Sequence, residues 1–372
     1  MGGSVQECWR HTKVNDAVWM SRCFTLARQG LGRTAPNPMV GAVIVRDGEV
    51  ISEGWHRSPG GTHAEVDALD QLGGSASGAT MYVNLEPCCH QGRTPPCTDA
   101  LIAADIAKVV VGMVDPDERM QGKGIDQLKD AGIEVVVGVE REQARTLNHA
   151  YLSAQERGRP WVTVKAAITL DGRIADFEGA SQWITGIESR DLVHRMRNEH
   201  DAVMVGAGTM RADDPSLNTR VEGGRDALPV ILDTELGISD KARVLTAGRR
   251  PVVFHADNVQ PREALEADLV GVPRDERGWL DLSAVFTVLQ ARGVHSILVE
   301  GGGLLNRSLL DRGMVDRIEL FIAGKVLGGG PGWVGGSPYS LSDAPGFQVV
   351  RSESVGSDLH VVLEQAPCSV ES

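Results

Sequence analysis

Apolar residues recur along the chain with two alternating periods. "AVWMSRCFTLARQG" (17–30) has helical spacing and ends in glycine, which predicts a helix. "MVGAVIVRDGEVISEGWH" (39–56) holds two β-branched runs around a "DG" pair, which predicts a hairpin. Helix and strand signals then alternate through "AEVDALDQL", "ATMYVNLEP", "CTDALIAADI", "KVVVGMVDP", "GIDQLKDAG" and "IEVVVGV". After "LNHAYLSAQERGRP" (147–160), which ends polar with glycine and proline, a second series opens at "WVTVKAAI" (161–168). It runs through "DAVMVGAG", "LPVILDT", "RPVVFHA" and "HSILVEGGG" to a predicted end near residue 365. Such alternation implies α/β domains with largely parallel sheets covered on both faces. Two domains are predicted, 1–152 and 153–372, with cores at 17–150 and 160–365.

Charge narrows the range of partners. With 37 Lys and Arg against 50 Asp and Glu, the formal charge is −13 and there is no long basic run. That balance argues against a nucleic-acid partner, which needs a basic footprint. A small phosphorylated ligand stays possible, because one or two arginines hold a phosphate. The N-terminus does not read as a signal peptide, and no apolar run nears the roughly 18–20 residues of a membrane span. A soluble cytoplasmic protein with no membrane partner is expected. In a reducing compartment, clustered cysteines are metal ligands or catalytic thiols rather than disulfides.

Such a cluster exists. "NLEPCCHQGRTPPCTDAL" (84–101) holds three of the six cysteines; Cys8, Cys23 and Cys368 lie far away and read as ordinary thiols. Cys97 opens a predicted helix, Cys88 follows a predicted strand, and "HAE" (63–65) opens another helix. Helix N-termini favour thiolates. His63, Cys88 and Cys97 would give Zn²⁺ three ligands and leave a fourth position for water. A closed structural site would draw on Cys89 or His90, but adjacent residues seldom aim at one metal. Glu65, two residues from a ligand, is suited to moving protons between a water and a leaving amine. In the second series "VGAGTMR" is a weak match to a dinucleotide loop. The strand–glycine–helix junction at "VEGGG" (299–303) could bind an anion or could be a plain turn.

"HAE" followed by "EPCCHQGRTPPC" matches the zinc deaminase pattern, with eight residues between the cysteines instead of two. That longer form resembles the bifunctional riboflavin-biosynthesis deaminase/reductase family. "KAAITLDGRIA" (165–175), "SQWIT" (181–185), "GAGTMRADDPSLNTR" (206–220) and "VEGGG" are similar, in order and spacing, to its reductase half. The resemblance covers roughly residues 17–365. It implies a cytidine-deaminase-like three-layer domain followed by a dihydrofolate-reductase-like α/β domain. It also implies zinc-dependent deamination of a diaminopyrimidinone ribosyl phosphate, then NADPH-dependent reduction of the ribosyl to the ribityl chain.

By the same resemblance His63, Cys88 and Cys97 bind zinc and Glu65 is catalytic, while Cys89 stands where the family usually has a small residue. Asn37 would contact the pyrimidine, although an asparagine between prolines also forms turns; His56, His90 and Arg93 would hold the ring and phosphate. Asp115 would either border that pocket or form a turn. Ala167, Trp183, Thr209, Asp213, Gly301, Gly302 and Gly303 would face NADPH. Ser181, Arg197, Leu217, Arg220 and Glu300 would face the ribosylaminouracil, with Lys165 and Asp171 as further candidates. The family tends to form homo-oligomers through the reductase domain. The rival readings are a zinc deaminase for another pyrimidine, nucleoside or tRNA with an inactive or regulatory second domain, and a zinc-stabilised binding protein.

Overall fold

The computed structural model describes residues 5–92, 94–262 and 265–365, with the first helix's side chains described from Asp16 onward. Cys8, Arg93 and Cys368 lie outside the described side chains. The chain divides into two compact units, Met1–Gly158 and Arg159–Ser372.

In the first unit the elements run α1 (Val5–Ala27), β1 (Gly41–Arg46), β2 (Glu49–Trp55), α2 (Ala64–Asp70), β3 (Thr80–Val83), α3 (Cys97–Ala103) and β4 (Lys108–Val111). α4 (Lys123–Asp130), β5 (Glu134–Val137), α5 (Arg141–Leu147) and α6 (His149–Glu156) complete it. The sheet order is β2-β1-β3-β4-β5. It is mixed rather than largely parallel: β1 pairs antiparallel with both β2 and β3, and only β3, β4 and β5 run parallel. The two-residue connection at Asp47–Gly48, both at positive φ (53° and 80°), forces the hairpin to be antiparallel. Alternation then sorts side chains into two layers. Ala42 and Ile44 pack with Ala64 and Ala68 of α2 and Leu101 of α3, while Val43 and Val45 pack with Met20 and Phe24 of α1 and Leu152 of α6. The result is helix, sheet, helix. The segment at 147–160 is mostly helical, and Tyr151, Leu152, Ser153 and Ala154 of α6 are buried, so the division into units falls after Gly158.

The second unit contains β6 (Trp161–Thr169), α7 (Ile187–Glu199), β7 (Ala202–Gly206), α8 (Ala207–Asp213), β8 (Leu228–Leu232), β9 (Val252–Ala256) and β10 (Asp268–Val272). α9 (Leu282–Ala291), β11 (Ser296–Val299), α10 (Gly303–Asp311), β12 (Arg317–Ala323), β13 (Phe347–Val355) and β14 (Asp358–Gln365) follow. The nine strands order as β10-β9-β8-β7-β11-β6-β12-β14-β13. The pairings from β10 to β12 are parallel, and the closing β13–β14 hairpin is antiparallel. The hydrophobic pattern could not reveal β13, because nearly all of its residues are exposed. Open parallel sheets place ligands at the carboxyl ends of central strands. Here those are β7, β11 and β6.

Candidate active sites

In the first unit β3, α2 and α3 each bring one donor to a common point. Nδ1 of His63 lies 3.2 Å from Sγ of Cys97 and 3.4 Å from Sγ of Cys88. The three donor atoms all lie within 4.8 Å of one another, and among the described residues no other such group of three or more His, Cys, Asp or Glu donors occurs. Donors 2.0–2.3 Å from one tetrahedral ion stand roughly 3.5–3.8 Å apart, so this set fits zinc. The amide of Cys97, at the start of α3, donates to Sγ of Cys88 at 3.3 Å. The Cys88 thiol is held well below its usual range, first by its hydrogen bond with Cys97 and then, against the cost of burial, by His63. Such a thiolate is the form that binds metal. The Thr94 hydroxyl lies 3.4 Å from the other His63 nitrogen, Nε2, where it can orient the ring. Nothing in the local pattern singles out Thr94 for this role.

Glu65 sits in the first turn of α2, 3% exposed, against Cys97. Burial first, and then the Cys88 charge, push its carboxyl up to about 7. A carboxyl poised near neutrality can both accept and return a proton. His56 is 3% exposed; its Nδ1 lies 3.0 Å from the Thr62 carbonyl and its Nε2 lies 3.0 Å from Nδ2 of Asn37. These partners fix one neutral tautomer, which donates from Nδ1 and accepts at Nε2. Burial lowers its pKa and reinforces that state. Cys89 and His90 both turn to Met120, with Sγ at 3.9 Å and Nδ1 at 3.2 Å from its sulfur. Asp115 is buried and accepts from the Tyr151 hydroxyl at 2.8 Å.

Glu86 has a role the sequence did not signal. Its carboxylate accepts from the amides of Asp115, Gly122, Gly124 and Ile125, at 2.9–3.4 Å. It thereby fastens the loop before α4 to the strand exit that carries Cys88.

In the second unit a cavity of about 610 Å³ opens at the ends of β6, β7 and β11. It is lined by Lys165, Ala167, Ser181, Trp183, Arg197, Thr209, Asp213, Leu217, Arg220, Glu300, Gly301 and Gly302. Glu300 takes Nε and Nη2 of Arg197 at 2.6 and 3.0 Å and Nζ of Lys165 at 3.4 Å. Burial opposes its charge, but the two cations outweigh it and hold the carboxyl down to about 2. Ser181 donates to Asp213 at 2.8 Å.

Two of the sequence-selected residues do not line this cavity. Asp171 accepts from the Thr169 hydroxyl and from the amides of Leu327 and Gly328, which makes it the clasp of its own loop. Gly303 has no room for a side chain: a Cβ would sit 2.6 Å from the Gly332 carbonyl oxygen and 2.8 Å from the Gly335 nitrogen. Arg190, His194 and Arg243 also line the cavity, and sequence reading did not select them.

A thiolate–imidazole zinc site beside a buried carboxyl, on a sheet with helices on both faces, defines the first unit as a zinc deaminase. A polar cavity at the ends of parallel strands, with glycines at a helix start, suits the second to a nucleotide-dependent reductase. Comparison with known proteins agrees. Residues 13–113 match the cytidine and deoxycytidylate deaminase zinc-binding region, and residues 160–361 match the RibD C-terminal domain. The riboflavin biosynthesis protein RibD of Aquifex aeolicus is 40% identical over 94% of this chain and 98% of its own length. A solved Thermotoga maritima diaminohydroxyphosphoribosylaminopyrimidine deaminase/5-amino-6-(5-phosphoribosylamino)uracil reductase superposes with a TM-score of 0.88. It is 37% identical and covers 96% of this chain and 100% of that one. RibD of Acinetobacter baumannii gives 0.88 at 34% identity, covering 95% and 100%.

The chain belongs to the RibD family, the bifunctional deaminase/reductases of riboflavin biosynthesis. It is a zinc-dependent deaminase joined to an NADPH-dependent reductase, as the sequence resemblance implied. Matches across both halves disfavour a deaminase with an unrelated appendage.

Proposed function

We propose that the first unit replaces the 2-amino group of 2,5-diamino-6-(5-phosphoribosylamino)pyrimidin-4(3H)-one by oxygen, and that the second reduces the product's ribosyl group to ribityl. The observation that carries the first step is the buried carboxyl of Glu65 against a His63, Cys88 and Cys97 triad. Zinc there supplies the Lewis acidity that makes water a nucleophile near neutral pH. Glu65 takes a proton from the attacking water and delivers it to the departing amine, so ammonia leaves. Asn37, oriented by His56, contacts the pyrimidine. His90 and, on sequence grounds, Arg93 hold the rest of the substrate.

In the second unit NADPH supplies the hydride that reaches C1 of the ribose. Ala167, Trp183, Thr209, Asp213, Gly301 and Gly302 bind the cofactor. Lys165, Ser181, Arg197, Leu217, Arg220 and Glu300 position the substrate. Paired cations hold Glu300 ionised, and Glu300 in return fixes the Arg197 and Lys165 geometry. These largely buried charges hold one another in place before substrate arrives, which is electrostatic preorganisation.

Thiol ligands suit a reducing cytoplasm, and among the described residues no helix is long and apolar enough to cross a membrane. Self-association through the second unit is supported by β13, an edge strand exposing Val349 and Val350. The test of the two-step reading is to supply the diaminopyrimidine phosphate and follow ammonia and NADPH together. About one NADPH should be oxidised per ammonia released. Ammonia release without NADPH oxidation would refute the second step.

A further inference from the structure

Next to the His63, Cys88 and Cys97 triad, three further side chains meet for which the deaminase chemistry has no shared task. Cys89 and His90 follow Cys88 in the chain, and Met120 lies in the turn before α4. Sγ of Cys89 lies 3.9 Å from the Met120 sulfur, and Nδ1 of His90 lies 3.2 Å from it. Adjacent residues seldom aim at one point, yet here a thiol and an imidazole both do. Met120 is 2% exposed while Cys89 and His90 are half-buried, so the thioether forms the floor of a corner whose other two donors are partly open.

The backbone holds both walls of this corner. The Cys88 carbonyl accepts from the Thr98 amide at 3.1 Å, which pins the chain just before Cys89. The Met120 amide donates to the Asp117 carbonyl at 2.8 Å, and the Lys123 amide donates to the Met120 carbonyl at 2.9 Å. Two carboxylates stand near, Glu86 by Cys89 and Asp117 by His90, and both are engaged elsewhere. Glu86 accepts from backbone amides, and Asp117 accepts from the guanidinium and the amide of Arg119. The donors left are a thiol, a thioether and an imidazole.

That set is soft. Zinc takes thiolate, imidazole and carboxylate, and a thioether lies outside its usual ligands. Thiolate together with thioether selects copper(I). With metal–sulfur bonds of about 2.3 Å, two sulfurs around a trigonal ion stand roughly 4.0 Å apart. The 3.9 Å between Cys89 and Met120 matches this spacing. The half-buried imidazole needs a retreat of only about 0.5 Å to take the third position.

We propose that Cys89, His90 and Met120 form a second metal site, separate from the triad, for a soft monovalent cation of the copper(I) class. On binding, the Cys89 thiol gives its proton to solvent and its sulfur bonds the cation, with no change of oxidation state. The consequence for catalysis rests on the reading of His90 as a substrate contact. An occupied corner takes that imidazole from the substrate and slows deamination.

The test titrates the zinc-loaded full chain, without oxygen, with copper(I) held by bicinchoninate, whose colour reports how much copper the protein withdraws. Cys89→Ser and Met120→Leu are carried in parallel; the second leaves every thiol in place and nearly conserves volume. The native chain should take up one copper(I) and keep its zinc. Each variant should bind copper at least about tenfold more weakly, while keeping zinc and most ammonia release. No uptake from the chelator would overturn the site. Equal affinity in Met120→Leu would overturn it by assigning uptake to thiols alone, and zinc release matching copper uptake would overturn it by giving the copper to the triad. Ammonia release by the native chain should fall as copper loads and recover when excess chelator removes it, and Met120→Leu should resist the same copper level. Full turnover at full occupancy would overturn the inhibition and the substrate role of His90, while the metal site stood.

Discussion

His63 and Glu65 stand two residues apart at the start of one helix, and losing a metal donor should differ from losing a proton carrier. On the proposed roles, in which His63, Cys88 and Cys97 hold the metal and Glu65 carries protons, Cys97→Ala should deplete zinc whereas Glu65→Gln should retain it. Both should lose ammonia release, Glu65→Gln by about 10²- to 10⁴-fold. Metal analysis beside the ammonia assay separates the two, and near wild-type turnover by Glu65→Gln would remove its catalytic role. Cys89 faces the Met120 sulfur and is not among the three donors. Cys89→Ser should therefore keep one zinc per chain and most of its deaminase activity. The clustered donors were legible in the sequence because two short motifs hold all three. Thr94 and Glu86 were not, because each acts through partners remote in sequence. Asp171 shows the reverse: it sits in a matching motif, yet the structure uses it to clasp a loop.

At the scale of elements, placement of the deaminase site depends on how closely α2 approaches β2. A Cβ on Gly54 would lie 2.2 Å from the Ala64 carbonyl oxygen and 2.5 Å from the Ala68 nitrogen, both backbone atoms of α2. Gly54→Ala should push that helix outward, at a cost of about 1–3 kcal/mol in unfolding free energy, and displace His63 and Glu65 together. Ammonia release should fall at least tenfold. Asp115 joins α6 to the β4–α4 connection through Tyr151, and burial raises its carboxyl to about 6. The native state thus binds this proton more tightly than the unfolded chain does. That stabilisation is fully present below the ordinary value near 3.8 and is lost as pH rises through about 6. Asp115→Asn should flatten the stability profile between about pH 4 and 6, by about 2–3 kcal/mol; an unchanged slope in denaturant titrations would assign the pH response to other groups. The hairpin and the buried strands could be predicted from period and turn residues. The mixed pairing of the first sheet and the exposed β13 could not, since pairing direction and edges leave little trace in apolar period.

Across the whole molecule, the two candidate sites fall in separate compact units: the triad and Glu65 in residues 63–97, the cavity in residues 165–321. Among the described residues, the three donors and Glu65 belong to the first unit and the residues lining the cavity belong to the second. The central claim is therefore two chemically independent reactions on one chain. It is tested most directly by assaying ammonia release and NADPH oxidation in Glu65→Gln and Asp213→Ala, in zinc-replete, folded protein. Asp213→Ala should release ammonia at close to the wild-type rate and accumulate unreduced aminouracil. Glu65→Gln should oxidise NADPH only when that aminouracil is supplied. Loss of ammonia release in Asp213→Ala would contradict the account.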